Sequence, residues 1–266
     1  MKRISAFILV IVAALNFGCE KEIDLQLPEF ESRIVIEGAI TNLPGPYLIR
    51  VTKTVPYLGK DTLPAVTGAS LIINDDAGNR DTLLEISPGY YQTQSLQGVI
   101  GRTYYLEAKI EGQIISASDK MNRVNPVDSL TYEYLDGLIF LDDGYYVTAY
   151  ATEPAGIGDY FKFNFYQNDS LYDGLDALFF SDDRTVDGNA AEIFFPFTQQ
   201  SGDTVKLEIV SLSNGAYDYY LTMQSLLNSA GSPFGSPPQN IYTNLSNDAL
   251  GFFQANAIES REMIIP

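Results

Sequence analysis

The feature that most constrains this chain is a period-two run of side chains, interrupted again and again by turn residues. In SRIVIEGAIT (32–41), Ile34, Ile36 and Gly38 alternate with Val35, Glu37 and Ala39 before the chain stops at NLPGP. A period of two places every second side chain on one face of an extended strand, which suits a sheet packed on one side. ASLIINDDAGNRDTLLEI (69–86) reads as two strands joined at Asp76-Ala77-Gly78-Asn79, where glycine supplies the positive φ that a tight hairpin needs. YLIRVTKTVPY (47–57), ended by Pro56, and GYYQTQ (89–94) add strands, and GRTYYLEAKIEGQIISASDK (101–120) adds a hairpin turning at Glu111-Gly112. So many strands and glycine turns between 32 and 122 predict a β-sandwich, immunoglobulin-like or transthyretin-like.

Asn125-Pro126 is a natural break, because the residue before a proline is pushed out of helical conformation. From there to the end, 123–266, a second β-rich domain is expected. VNPVDSLTYEYL (124–135), GYYVTAYATEP (144–154), DYFKFNFYQNDSLYDG (159–174), AEIFFPF (191–197) and DTVKLEIVSLS (203–213) read as strands, with Phe161, Phe163 and Phe165 on one face. One helix is predicted near 214–230. Ser213 or Asn214 would cap it, Tyr217, Tyr220, Leu221 and Leu227 would form its apolar stripe, and Gly231 would stop it. A proline-rich stretch follows, and Gly251-Phe252-Phe253 returns to strand.

The N-terminus has a different logic. Met1-Lys2-Arg3 is a short basic start, and Ala6 to Leu15 is an unbroken apolar run. A membrane-spanning helix needs about 20 apolar residues, so this run suits a signal-peptide core instead. Gly18 then precedes Cys19, the one cysteine of the chain. The junction predicts a lipoprotein signal over residues 1–18 and acylation of Cys19, with an acidic tether over 19–31. The alternative is an ordinary secretory leader cut near Ala14 or Gly18. Two or more acyl chains hold a protein stably on a bilayer without spanning it.

The lipoprotein-type start, VIEGAIT (35–41), GASLIINDDAGN (68–79), GYYQT (89–93), GRTYYLEAKIEGQ (101–113) and SPFGSPPQNIYTNLSNDALGFFQA (232–255) resemble the DUF4249 family. These are Bacteroidetes lipoproteins of undefined function, and the resemblance spans nearly all of the chain after the leader. It implies a place in the outer membrane. Since the family's genes tend to lie beside those of TonB-dependent outer-membrane transporters, it also implies an accessory role in uptake. It implies no catalytic residue. A surface adhesive or structural lipoprotein, and a carboxylate-dependent hydrolase, are the alternative readings.

Charge and residue inventory narrow the chemistry. The chain has 34 Asp and Glu against 16 Lys and Arg, a formal net charge of −18, which disfavours nucleic acid as a partner. It has no histidine, which removes histidine-based hydrolysis and histidine zinc sites. The expectation is a non-enzyme without a cofactor. The acidic loops 74–81, 141–146 and 181–189 lack the spacing of a regular calcium loop, and turn geometry accounts for such residues. If any of them holds calcium, Asp182, Asp183 and Asp187 are the best set. The pairs Tyr145-Tyr146 and Tyr219-Tyr220, with Tyr217, are either a stacking platform for a glycan or, as favoured here, core packing with one ring to water. GSPFGSPPQN (231–240) offers Phe234, with Pro237 and Pro238, either to the protein's own sheet or, as a candidate partner surface, to another molecule.

Overall fold

Alternating side chains become two β-sandwiches, each with its own core. The structure, a computed structural model, describes residues 31–56, 62–137, 142–173, 178–229 and 240–266. Cys19, the tether up to residue 30, Gly231 and the candidate surface of Phe234, Pro237 and Pro238 lie outside the described residues.

The first sandwich takes β1 (Ile34–Thr41), β2 (Leu48–Lys53), β3 (Ser70–Asp75), β4 (Arg80–Thr82), β5 (Leu84–Ser87), β6 (Tyr90–Gln92), β7 (Thr103–Ile110) and β8 (Gln113–Lys120). The second takes β9 (Val127–Leu135), β10 (Gly144–Thr152), β11 (Tyr160–Gln167), β12 (Ser170–Leu171), β13 (Phe179–Asp182), β14 (Ala190–Phe194) and β15 (Thr204–Leu212). Helix α1 (Asn214–Ser229), β16 (Leu250–Asn256) and β17 (Ile258–Ile264) complete the chain. The sheet orders are β16-β1-β2-β6-β5 facing β4-β3-β7-β8, and β14-β10-β9 facing β12-β11-β15-β17, with β13 also on β11.

The expected hairpins form for the expected reasons. At 76–79, Gly78 has a φ of 89°, and the Asp75 carboxylate accepts from the Ala77 and Asn79 N–H groups at 3.0 and 2.8 Å. Glu111 and Gly112, both at positive φ, turn β7 into β8. The run expected as one strand after Asn79 is divided: β4 pairs with β3, whereas β5 crosses to the other sheet and pairs with β6. Leu83, buried at the division, lets one short run serve both layers.

The first core joins Ile36, Ile49, Leu71, Tyr91 and Leu106 from both sheets. Residues 245–257 also belong to it, through Leu245, Ala249, Phe253, Ala255 and Ala257. β16 runs parallel to β1, from Val35 opposite Leu250 to Thr41 opposite Asn256. Gly251 permits that approach, since its φ is +92° and a Cβ there would collide with the Ile36 carbonyl. Ala257 alone separates β16 from β17. Its N–H donates to Ser211 Oγ at 2.9 Å and its carbonyl accepts from the Ser211 N–H at 2.8 Å, which holds the crossing in place.

In the second core Phe161 and Phe165 are buried and Phe163 packs against them, as their alternation requires. Helix α1 starts where expected, with Ser213 Oγ accepting from the Ala216 N–H at 3.0 Å. Its stripe differs from expectation. Ala216 and Tyr220 are buried, with Tyr217, Tyr219 and Met223 packed beside them, whereas Leu221 and Leu227 are exposed. The helix lies on aromatic neighbours, Phe180 and Phe252, so tyrosine rings take the inner face and leucines are left outside.

Candidate functional site

Two places stand out once the sheets are in position. The first lies where the strands of the second sandwich end. Glu153 directly follows β10, Asp183 directly follows β13, and Asp187 sits in the turn before β14. That turn is closed by the Val186 and Asp187 N–H groups donating to the Asp183 carbonyl at 2.9 and 2.8 Å. One carboxylate oxygen from each of the three residues lies within 4.8 Å of the others.

Each carboxylate is anchored through one oxygen. Glu153 Oε2 accepts from the Gly188 N–H at 3.1 Å, Asp187 Oδ1 from Gly156 at 2.6 Å, and Asp183 Oδ2 from Gly158 and Asp159 at 2.8 and 3.0 Å. The remaining oxygens of the two buried residues, Glu153 Oε1 and Asp183 Oδ1, have no hydrogen-bond partner. Glu153 is 3 % exposed and Asp183 1 %. Arg123 is the cation nearby, but its guanidinium is committed to Asp159 at 2.6 Å and stands 4.0 Å from Glu153 Oε1. Burial raises the Glu153 pKa above its usual range, helped by Asp159 and Asp183 and opposed by the Gly188 N–H. A cavity of about 210 Å³ adjoins Glu153, lined by Asn125, Phe161, Phe163, Ile193 and Ile209.

Of the set named from sequence, Asp183 and Asp187 come together and Asp182 does not. The Asp182 carboxylate turns to Arg184 at 2.6 Å and to the Tyr217 hydroxyl at 3.2 Å, and the Arg184 bond leads in lowering its pKa. Glu153 takes the third place. It lies in a different loop, and only the facing of the two sheets brings it there; no local spacing marked it. In the other two acidic loops, Asp75 and Asp143 are taken up by neighbouring groups. Asp75 Oδ2 binds Asn79 and Arg102 at 2.7 and 2.6 Å, and Asp143 caps the Gly137 N–H at 2.9 Å.

The second place is the outer face of the β14-β10-β9 sheet. Register puts Phe194 opposite Thr148, Glu192 opposite Tyr150 and Glu133 opposite Tyr146, so these side chains share that face. All of these but Glu192, with Tyr132, Phe195 and Pro196, line a concavity of about 730 Å³. Phe194 is 67 % exposed. Tyr145, on the inner face, meets Tyr132 and Tyr134 edge-to-face at 5.8 and 5.0 Å, so the Tyr145-Tyr146 pair divides between core side and water side. Tyr217, Tyr219 and Tyr220 lie on α1 and pack against Phe180 and Phe252, and so form no open platform. Lys162 on β11 lies 5.3 Å from the Tyr220 ring, and burial lowers its pKa.

A family model described as "Domain of unknown function (DUF4249)" matches residues 20–262. No curated protein matches the chain. Among solved structures, a two fibronectin type-III domain segment from chicken tenascin is 10 % identical, covering 69 % of this chain and 93 % of that one, with a TM-score of 0.22. So loose a superposition carries no argument.

Proposed function

The chain belongs to the DUF4249 family, and on that premise we propose that it is a non-catalytic binding module of the cell envelope. It is held to the outer membrane by lipid at Cys19 and assists a TonB-dependent transporter beside it. The observation that carries this reading is Phe194, a large aromatic side chain 67 % exposed on a sheet face it shares with Tyr146 and Tyr150. Exposed single apolar residues are ordinary, but aromatic side chains gathered around a concavity are typical of contact surfaces. Glu133 and Glu192 on the same face favour a partner that offers apolar side chains flanked by cations. The N-terminal Met1–Cys19 pattern supports the anchor, and the family resemblance supports the transporter.

The test is affinity purification of the tagged, lipidated chain from its native membrane in mild detergent. Recovery of a β-barrel transporter by the wild-type chain, and its loss with Phe194→Asp, is the expected result. Repeated purification across growth conditions without any barrel protein would remove the transporter from the reading. A chain whose Cys19 carries no acyl group would remove the anchor.

A further inference from the structure

We propose that Glu153, Asp183 and Asp187 bind one calcium ion that clamps the 153–159 loop to the 183–189 loop. The site goes beyond the binding role above and does not depend on it. Turn geometry explains the three carboxylate oxygens that accept backbone N–H bonds. It leaves Asp183 Oδ1 buried without a hydrogen-bond partner, and Glu153 Oε1 buried without one and with only the Arg123 guanidinium at 4.0 Å. Native proteins rarely strand a buried anionic oxygen, because removal from water without a partner is costly. Two such oxygens, on residues whose carboxylates gather with a third so that one oxygen of each lies within 4.8 Å of the others, mark a place made for a cation.

Charge points the same way. Among the described residues, the Arg123 guanidinium stands beside Asp159, Glu153 and Asp183, and its close bond, 2.6 Å, goes to Asp159, with Glu153 Oε1 farther off at 4.0 Å. The donors are all carboxylate oxygens, which suits a hard cation rather than zinc or copper. Three oxygens at the full 4.8 Å from one another would each stand about 2.8 Å from a central ion, so closure to the 2.3–2.6 Å of Ca²⁺ needs a contraction of at most a few tenths of an ångström. The three residues come from irregular loops, whose uneven geometry Ca²⁺ accepts and Mg²⁺ resists. The backbone bonds from Gly156, Gly158, Asp159 and Gly188 fix the carboxylates in place, as the outer partners of metal ligands do.

The consequence is mechanical. Glu153 leaves the end of β10 in one sheet, and Asp183 leaves the end of β13 in the other. An ion between them ties the two layers of the second sandwich at one end.

The test uses the full chain in detergent, stripped with a chelator and titrated calorimetrically with CaCl₂ or MgCl₂. One equivalent of Ca²⁺ is expected to bind more tightly than Mg²⁺. A hundredfold excess over Kd should raise Tm by about 5–10 °C for a chain of this size. Even outer partners of metal ligands are worth about 10–100-fold in affinity, so Glu153→Gln, Asp183→Asn and Asp187→Asn should each weaken binding at least tenfold. Asp187 is the least buried of the three, so Asp187→Asn decides the matter if the other two variants do not fold. No saturable Ca²⁺ binding at millimolar concentration overturns the site, as does binding unchanged in Asp187→Asn. Equal affinity for Mg²⁺ overturns the assignment to calcium.

Discussion

Asp119 is a carboxylate in a place where side chains are usually apolar. It is 6 % exposed near the end of β8, and Oδ2 accepts from the Ala255 N–H at 2.8 Å. Burial raises its pKa to about 6, against the pull of hydrogen bonds from Ser213 and from the Ala255 and Lys120 backbone. In the unfolded chain the same group titrates near 4. Between about pH 4 and pH 6 the folded chain therefore keeps a proton that the unfolded chain has released, and stability falls as pH rises through that window. The two-unit shift amounts to about 3 kcal/mol. Asp119→Asn keeps an acceptor for Ala255 and should flatten this slope. Urea unfolding from pH 4 to 7 in chelator, wild type against variant, checks it, and parallel slopes would refute the assignment. Little of this was legible beforehand. The alternation of QIISASDK marks Asp119 as facing the side of Ile115 and Ala117, but the N–H that it meets comes from residue 255. Glu153 is illegible on the same grounds, and the 181–189 loop offers Asp182 only by adjacency, a poor guide to carboxylate direction.

Elements with strong alternation and a glycine turn were legible; those whose pattern is set by distant partners were not. β17 reads as polar, with Glu259, Arg261 and Glu262, because it lies at the edge of its sheet and edge strands carry charge. β13 is four residues long, too short for a period to show. β16 was recognisable as a strand, but its parallel alignment with β1 is a property of the whole chain. Gly251 makes that alignment possible, and a comparison isolates its role. Gly251 and Gly101 share nearly the same φ, +92° and +91°, yet a Cβ at Gly101 would meet nothing within 4 Å whereas one at Gly251 would strike Ile36. Gly101→Ala should cost the conformational strain alone, about 1–2 kcal/mol, and Gly251→Ala should cost about 3 kcal/mol or more. Equal losses in urea melts would mean that contact with β1 is looser than the structure has it.

At the scale of the molecule, the break at Asn125-Pro126 separates runs of strands along the sequence but does not separate the cores. Residues 245–257 travel back past the second sandwich to complete the first. Ser246 donates its N–H to the Ser116 carbonyl at 2.9 Å, and the Asn244 side chain bonds both Ser118 and Phe253. The first sandwich without that segment loses the parallel neighbour of β1 and the fully buried ring of Phe253. Removing one such ring costs about 3–5 kcal/mol, comparable with the whole stability of many domains, about 5–15 kcal/mol. A fragment of residues 32–122 should therefore not unfold cooperatively, and its near-ultraviolet circular dichroism should be weak. Residues 240–257 joined to its end by a flexible linker should restore both signals, because Ser118 and Asp119, near that end, already bond Asn244 and Ala255 of the returning segment. If residues 32–122 alone give a sharp urea transition equal to that of the extended fragment, the returning segment is an addition to the first core and not a part of it.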